Sequence, residues 1–406
     1  MSQDRQHARY VAIVVAVAVV VLLPVLVLNY TLGARSFGGG AVAVRASQWQ
    51  EATHGVTYAP PLSANRPFKS ARLFDRLPQI NTVVFGSSTS MGITQDMFPA
   101  GMTIYNFAQT GNVLSTVIAE AEYLLRLQSP TLKRLVIPLD WALGSLYLPG
   151  VPGREELTPP AVDAPPPHAG VPLPQQLQDA LSLPRVKNLL GIVDGILRAP
   201  SPAAAFGQMF LQEAGADYRC ADGTPAKDFD TIFRGTCTGF RYDGSATFSN
   251  LQPVPARRAG ALIASAVVPS SKYSVGLIAA RGEPNPLLLE RLAALARDLK
   301  RASGGLVLFL PPLLPGMERA FLDAAQTAEP LRRTKQVLGA WARDHDLIII
   351  DAGQSERHGC VAEEFVDEHH ALPQCYARIF TRFWNDRGAL TRPGLWSGNQ
   401  PPVTGD

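Results

Sequence analysis

Two segments that lie far apart in the chain carry the residue types of a nucleophilic site. Gly86-Ser87-Ser88 follows a short apolar run, and Asp367-Glu368-His369-His370 lies near the C-terminus. A serine hydroxyl becomes a useful nucleophile when a histidine accepts its proton and a carboxylate orients that histidine. Asp367 and His370 share one face if their segment is a helical turn. The two segments therefore favour a site in which Ser88, His370 and Asp367 converge.

Each segment alone also has an ordinary explanation. Strands commonly end in Gly and Ser because these residues suit turns. The two histidines lie among acidic residues, which is typical of a solvated surface patch that binds metal adventitiously. Ser87 or Ser90 could hold the role of Ser88, and His369 that of His370, because a shift of one residue at a strand end reverses the side-chain direction.

The elements that must position these residues alternate between strand and helix patterns. Strand-like runs occur at 82–85, 135–139, 306–310 and 347–350. Helical spacing of apolar residues occurs at 113–125, 287–301 and 330–345. Continuous apolar strands between amphipathic helices are typical of a mostly parallel sheet that is covered on both faces. We therefore predict an α/β fold, a three-layer α/β/α sandwich with a mostly parallel sheet.

The N-terminal part of the chain predicts a membrane anchor. Val11 to Leu28 is an apolar stretch of eighteen residues, about the length that crosses a bilayer. Arg5, His7 and Arg9 precede it, so the N-terminus is expected in the cytoplasm and the main domain in the periplasm, on a single-pass protein of the bacterial inner membrane. A cleaved signal peptide is the alternative, although its apolar region is ordinarily shorter.

Composition divides the chain into five predicted segments. These are a cytoplasmic tail at 1–9, a transmembrane helix at 10–32, a stalk at 33–75, a domain at 76–390 and a C-terminal tail at 391–406. The stalk is rich in Gly, Ala, Ser and Pro and has little periodicity. The domain is predicted to carry an insertion at about 150–275, where a Pro-rich segment breaks the strand and helix rhythm.

The cysteines and the overall charge restrict the environment and the partners. Four cysteines form two close pairs, as expected for two local disulfides in an oxidising compartment: Cys220 with Cys237, and Cys360 with Cys375. Buried free thiols are the alternative, since neither pair has the spacing of a zinc knuckle. A net charge of +3 leaves no excess to neutralise a phosphate backbone, so nucleic acid is not an expected partner.

Several motifs together resemble the SGNH (GDSL-like) hydrolase superfamily, in which the nucleophile follows the first strand and an Asp-x-x-His motif lies near the C-terminus. The motifs are Gly86-Ser87-Ser88-Thr89-Ser90, Tyr105-Asn106-Phe107-Ala108, Gly111, Pro311-Pro312 and Asp367-x-x-His370. The chain is similar to the membrane-anchored branch that acylates cell-surface polymers, such as the alginate and peptidoglycan acetylation proteins and the teichoic-acid D-alanyl transfer proteins. The resemblance covers about 80–145 and 285–385. It implies a flavodoxin-like sheet.

The resemblance also implies roles for individual residues. Ser88 is the implied nucleophile, His370 the general base and Asp367 the residue that orients the base. The implied oxyanion hole consists of Ser88, Gly111 and Asn112, since two or three donors stabilise a tetrahedral acyl intermediate.

One position departs from the superfamily pattern. Asp140 stands where the third block offers an Asn to the oxyanion, and an ionised Asp cannot donate a hydrogen bond. Either Asn106 or Asn112 fills that place, or Asp140 is structural or binds substrate hydroxyls, or the oxyanion hole is weaker. Trp141 beside it is a candidate for stacking on a sugar face, although a tryptophan at a strand end more often packs in the core.

The implied activity is that of a serine acyltransferase or esterase that acts on O-acyl groups of a cell-surface polysaccharide or cell-wall glycan. This chemistry requires no cofactor or metal. If the acyl group is transferred, an integral membrane acyl exporter is the implied partner. The alternative is a catalytically inactive SGNH-like protein that binds glycan or serves as a scaffold in a membrane complex, which Asp140 in place of Asn favours.

Overall fold

The computed structural model describes residues 3–32, 40–57, 65–147, 218–227, 239–248, 251–386 and 392–397, with isolated positions at 194, 197–198, 202 and 237. Most of the predicted insertion before residue 218 lies outside these residues. The chain divides into two compact units, one comprising Met1–Ala71 with Pro165–Gly239 and the other Arg72–Ala164 with Phe240–Asp406. The residues predicted to do chemistry belong to the second unit.

The helices and strands are numbered along the chain. The helices are α1 (Gln3–Leu32), α2 (Gly40–Thr53), α3 (Asn65–Arg76), α4 (Leu114–Arg126), α5 (Ala256–Ala266), α6 (Val275–Ala279), α7 (Pro286–Arg301), α8 (Met317–Asp323), α9 (Ala328–Asp344) and α10 (Pro373–Asn385). The strands are β1 (Val56–Thr57), β2 (Thr82–Val84), β3 (Ile104–Asn106), β4 (Arg134–Pro138), β5 (Tyr218–Arg219), β6 (Pro225–Lys227), β7 (Gly305–Leu310), β8 (Ile348–Asp351) and β9 (Gly394–Trp396).

The first unit contains more regular structure than the sequence predicts. The expected stalk at 33–75 includes α2, β1 and most of α3, so the prediction of an irregular linker is wrong. Small residues lower the apparent periodicity of α2, but alanine is the best helix former. β1, β6 and β5 form a small sheet in that order. Among the helices of the described residues, none combines the length and the apolarity that crossing a bilayer requires.

The second unit is built on a parallel sheet of six strands, which confirms the predicted α/β class. The strand order is β3-β2-β4-β7-β8-β9, and every neighbouring pair is parallel. Counted within this unit, the order 2-1-3-4-5-6 contains the flavodoxin-like order. The strand order reverses between β2 and β4, because β3 lies on one side of β2 and all later strands of the sheet lie on the other. Open α/β sheets bind ligands at the carboxyl edge near such a point.

The helices that cover this sheet follow from their apolar spacing. In α4 the buried face includes Val117, Ile118 and Leu124. The predicted helix at 287–301 is confirmed as α7, where the Asn285 side chain accepts a hydrogen bond from the Leu287 N–H at 3.0 Å and caps the first turn. The predicted helix at 330–345 is confirmed as α9, which packs on β8 and β9. The arrangement is consistent with three layers.

The two edge strands, β3 and β9, were not predicted from the sequence. Each has three residues, which is too short to show a period. They are strands because β2 and β8 offer them hydrogen-bonding partners. The predicted C-terminal tail at 391–406 is therefore partly wrong, since β9 lies within it and Trp396 is 3% exposed.

Candidate active site

The turn that follows β2 presents Ser88 at the carboxyl edge of the sheet. Gly86 has a φ of 139°, and a Cβ at this position would lie 2.4 Å from the Ser90 Oγ and 2.8 Å from the Pro138 Cγ. Only glycine fits such a backbone and such close neighbours. The chain then enters a 3-10 turn from Ser88 to Ser90. This turn leaves Ser88 partly exposed, while Ser90 is buried.

Asp367 and His370 lie on a closed loop, and not on the helical turn that their spacing suggested. The loop is closed by a bridge between Phe365 and Ala371 and by a hydrogen bond from the Val366 N–H to the His370 carbonyl at 3.0 Å. The Asp367 Oδ1 accepts hydrogen bonds from the backbone N–H groups of His369, at 2.9 Å, and His370, at 2.8 Å. An aspartate that binds its own following backbone brings the two side chains together without a helix.

The three predicted residues form a hydrogen-bonded chain. The Ser88 Oγ lies 2.7 Å from the His370 Nε2, and the His370 Nδ1 lies 2.6 Å from the Asp367 Oδ2. A carboxylate accepts only, so the network assigns the proton to Nδ1 and leaves Nε2 free to accept the serine proton. This is the arrangement of a nucleophile, a base and a residue that orients the base.

The same geometry decides between neighbouring residues. The Ser87 hydroxyl is hydrogen-bonded to the Thr89 hydroxyl at 2.8 Å, and Ser90 is fully buried. The His369 Nδ1 lies 2.8 Å from the Tyr273 hydroxyl. Among the described residues, therefore, Ser88 and His370 are the serine and histidine of these two segments that meet.

Burial and hydrogen bonding shift the pKa values of two groups beside His370. Burial works to raise the pKa of Asp367, but the hydrogen bond from His370 and the adjacent imidazoles outweigh it and hold that pKa below the ordinary range. Burial, reinforced by His370, lowers the pKa of His369 to about 3. Asp367 is therefore ionised and His369 uncharged at neutral pH, so the negative charge is available to His370.

Two backbone N–H groups of the implied oxyanion hole have no acceptor in the part of the chain that the structure describes. They are the N–H groups of Ser88 and Gly111. Gly111 is exposed, with a φ of 68°. The side chain of Asn112 is engaged elsewhere, since its amide donates to the Glu120 Oε2 at 2.9 Å and its backbone N–H donates to the Gln109 carbonyl at 3.2 Å. The role of Asn112 in an oxyanion hole stays a prediction.

Asn106 does not replace the missing third-block asparagine. Its buried amide donates to the carbonyls of Ser90 and Ile93 at 2.8 and 2.9 Å, and its Oδ1 accepts from the Ala108 N–H. These bonds hold the turn that carries Ser88 against β3. Asn106 therefore supports the nucleophile turn from behind.

Asp140 lies at the same edge of the sheet as Ser88. The strand pairing places Val84 opposite Val136, and Ser88 and Asp140 each follow four residues later. The Asp140 Oδ1 accepts a hydrogen bond from the Leu143 N–H at 2.9 Å. Burial nevertheless dominates and raises the pKa of Asp140 to about 6. This carboxyl group therefore changes its charge near pH 6.

Trp141 belongs to the core and offers no open face to a sugar. Its side chain is 1% exposed, and its ring packs edge-on against Phe321 with a centroid distance of 5.4 Å. The prediction that Trp141 stacks on substrate is not supported by this packing, and the core-packing alternative describes it.

The site also contains groups that could hold a metal ion. The ligand atoms of Asp367, His369 and His370 lie within 4.8 Å of one another. Both ring nitrogens of His370 are engaged, however, one with Ser88 and one with Asp367. A bound metal would have to displace one of these bonds, so the geometry favours proton transfer over metal binding.

Both predicted disulfides are present, and one of them encloses the loop that carries Asp367 and His370. Cys220 is bonded to Cys237 in the first unit, and Cys360 to Cys375 in the second. Cys375 lies in the first turns of α10, fifteen residues after Cys360. The bond therefore ties the two ends of the segment that contains Asp367 and His370.

Replacement of both Cys360 and Cys375 by Ala is expected to lower the free energy of unfolding by roughly 2–4 kcal/mol, because the unfolded chain regains the entropy of an open loop. Thermal and denaturant unfolding of the full chain measure this effect. The Cys220→Ala, Cys237→Ala double variant is the matched control, and its stability loss is expected without a loss of the chemistry at Ser88. If the variant without the Cys360–Cys375 bond is as active as the control variant, the loop that carries Asp367 and His370 does not depend on its disulfide.

Some residues that shape the site have no sequence signal. Tyr273 contacts His369, and the Tyr376 hydroxyl donates to the Thr89 carbonyl from α10. Neither lies in a motif, and only the tertiary structure brings them to the site. Asp351, at the end of β8, does not join the triad, because it pairs with the Lys335 ammonium at 2.8 Å.

The chain was compared with protein-family models, curated proteins and solved structures. None of these comparisons gave a match. The likeness to SGNH hydrolases therefore rests on the residues of the chain itself.

Proposed function

We propose that this protein is an SGNH-like serine acyltransferase or esterase, with O-acyl groups of a cell-surface polysaccharide or cell-wall glycan as its substrates. The observation that carries the proposal is the hydrogen-bonded chain from Ser88 through His370 to Asp367. A protein that only binds glycan has no physical need to align these three groups.

The proposed reaction has two steps. In the first, the Ser88 Oγ attacks the acyl carbonyl carbon and its proton passes to the His370 Nε2, while backbone donors such as those of Ser88 and Gly111 stabilise the oxyanion. The intermediate expels the alcohol, which takes the proton from His370, and an acyl-enzyme remains. In the second, His370 removes a proton from a sugar hydroxyl or from water, and that oxygen attacks the acyl carbon. The bond to the Ser88 Oγ then breaks, and His370 returns the proton to this oxygen.

We place this reaction at the outer face of the inner membrane. The support is the apolar stretch from Val11 to Leu28 and the presence of two disulfides. In α1, Val11 is 58% exposed, Val20 71% and Leu23 54%, which is typical of a surface that contacts lipid or another protein. An integral membrane acyl exporter is the partner that a transferase would require. Carbonate extraction tests the anchor, and release of the full chain from membranes would refute it.

Reaction with a fluorophosphonate tests the nucleophile without knowledge of the natural substrate. We expect the full chain to gain one phosphonyl adduct on the peptide that contains Ser88, as measured by mass spectrometry. The Ser88→Ala variant should gain none, and EDTA should not change the labelling rate. Absence of an adduct in the wild type would favour the inactive scaffold, and loss of labelling with EDTA would favour a metal site at Asp367, His369 and His370.

A further inference from the structure

The serine and the base of the candidate triad belong to two separate segments of the chain. The Ser88 Oγ and the His370 Nε2 are 2.7 Å apart, although 282 residues separate them in the sequence. The bond between His370 and Asp367, by contrast, lies within one closed loop. The distance from the serine to the base therefore depends on the contacts that hold the two segments against each other.

The Tyr376 side chain makes one direct connection between the segments. Its hydroxyl donates a hydrogen bond to the carbonyl of Thr89, the residue that follows Ser88. The Tyr376 side chain is fully buried, and burial raises the pKa of Tyr376, so the hydroxyl keeps the proton that it donates. This bond ties α10 to the turn that carries the serine.

Tyr376 is itself fixed relative to His370, because the short chain between them is held at two points. The bridge between Phe365 and Ala371 holds the residue that follows His370. The disulfide at Cys375 holds the residue that precedes Tyr376. A displacement of Tyr376 relative to the serine turn is therefore also a displacement of His370.

A close contact at Gly92, on the serine side, sets how near the segments approach. A Cβ at this position would lie 3.1 Å from the Ala371 carbonyl oxygen, 3.2 Å from the Tyr376 Cδ2 and 3.3 Å from the Phe248 Cε2. These distances are shorter than ordinary contacts, so an added methyl group would displace its neighbours by a few tenths of an ångström. The φ of Gly92 is not positive, so the position requires glycine for space and not for backbone conformation.

The part of the chain around Phe248 reinforces this contact, because it is bonded to both segments. The Ala246 N–H donates to the Met91 carbonyl at 2.8 Å, on the serine side. The Val254 N–H donates to the Phe365 carbonyl at 2.7 Å, on the side of the base. Separation of the two segments would therefore also strain these bonds.

We propose that Gly92 and Tyr376 are positioning residues, which set the distance between the Ser88 Oγ and the His370 Nε2. Gly92 permits the close approach because it has no side chain. Tyr376 opposes separation through its hydrogen bond to Thr89. Both residues act through the segments that carry the serine and the base. This inference rests on the proposed serine chemistry at Ser88.

Gly92→Ala and Tyr376→Phe should each lower kcat about tenfold in the full chain with p-nitrophenyl acetate, because a misplacement of about 1 Å costs about one hundredfold. KM should change little, since these residues align the nucleophile with its base and leave substrate binding unaltered. The rate at which a fluorophosphonate labels Ser88 should fall in parallel. Tyr376→Phe deletes only a hydroxyl, so the ring continues to pack in the core.

Two variants serve as matched controls. Tyr147→Phe also removes a buried hydroxyl, which is bonded to Thr334 at 2.8 Å. Gly339→Ala also adds a methyl group, but its Cβ would meet the nearest atoms at an ordinary 3.6 Å. Both controls should keep the wild-type kcat. Thermal unfolding of all four variants gives their stability and shows that they are folded at the assay temperature.

A crystal structure of Gly92→Ala tests the inference without any activity. The distance between the Ser88 Oγ and the His370 Nε2 should increase by a few tenths of an ångström, while the His370–Asp367 bond keeps its length. An unchanged distance between serine and base would overturn the inference, as would equal losses of kcat in Tyr376→Phe and Tyr147→Phe. Failure of the proposed function is distinct, because it would appear as wild-type turnover equal to that of Ser88→Ala.

Discussion

Ser88→Ala is expected to lower the turnover of p-nitrophenyl acetate by at least about 10³-fold, because the Ser88 hydroxyl is the one that is hydrogen-bonded to His370. His370→Ala should cause a loss of the same order, since the serine then has no proton acceptor. The two losses should not add in the double variant, because the residues act as one unit. Steady-state release of nitrophenol by the full chain measures all three variants.

Ser87→Ala is the matched control for the nucleophile. It deletes the adjacent hydroxyl, which accepts from the Thr89 N–H at 3.3 Å and does not meet His370. We expect this variant to keep most of the activity. A loss in Ser87→Ala as large as that in Ser88→Ala would show that the turn, and not the Ser88 oxygen, is what the chemistry requires.

Asp140→Asn is expected to increase both the stability and the activity at pH 8. Asparagine restores the amide that the resembled superfamily places in its third block, and an amide donates to an oxyanion at every pH. An ionised Asp140 at the same edge of the sheet repels that oxyanion. We expect a gain in kcat of about tenfold at pH 8, since single oxyanion donors contribute one hundredfold or more.

The stability effect has a defined pH window. The folded state raises the pKa of Asp140 above its unfolded value, to about 6, so the folded protein holds this proton more tightly than the unfolded chain. The contribution of the protonated Asp140 to the free energy of unfolding is fully present below about pH 4 and is lost as the pH rises through 6. Above that pH the ionised group costs about 2–3 kcal/mol, at 1.36 kcal/mol for each unit of pKa shift.

Unfolding of the wild type and Asp140→Asn at pH 4 and pH 8 separates the cost of ionising Asp140 from other effects of the substitution on stability. The variant should be more stable than the wild type at pH 8, and the difference should nearly vanish at pH 4. Asp298→Asn makes the same chemical change on an exposed side chain and should alter stability little at either pH. A hundredfold loss of activity in Asp140→Asn would instead mean that the ionised carboxylate takes a direct part in the reaction.

The long elements of this fold follow from local sequence alone. β4, β7 and β8 are buried on both faces and therefore read as continuous apolar runs, and α7 and α9 show one apolar stripe each. The edge strands β3 and β9 are different, because three residues carry no period. They are strands only where the neighbouring strand supplies hydrogen-bonding partners.

The sequence by itself determined which residue types were available for chemistry. It also determined that Ser88 lies at the carboxyl edge of the sheet, because this residue directly follows a strand. The tertiary structure decided the rest. An Asx turn within a closed loop, and not a helical turn, brings Asp367 to His370, and sequence spacing does not distinguish the two. Tyr273 and the burial of Asp140 were also beyond the sequence, because contacts between distant segments and the loss of water around a carboxyl group arise only when the whole domain packs.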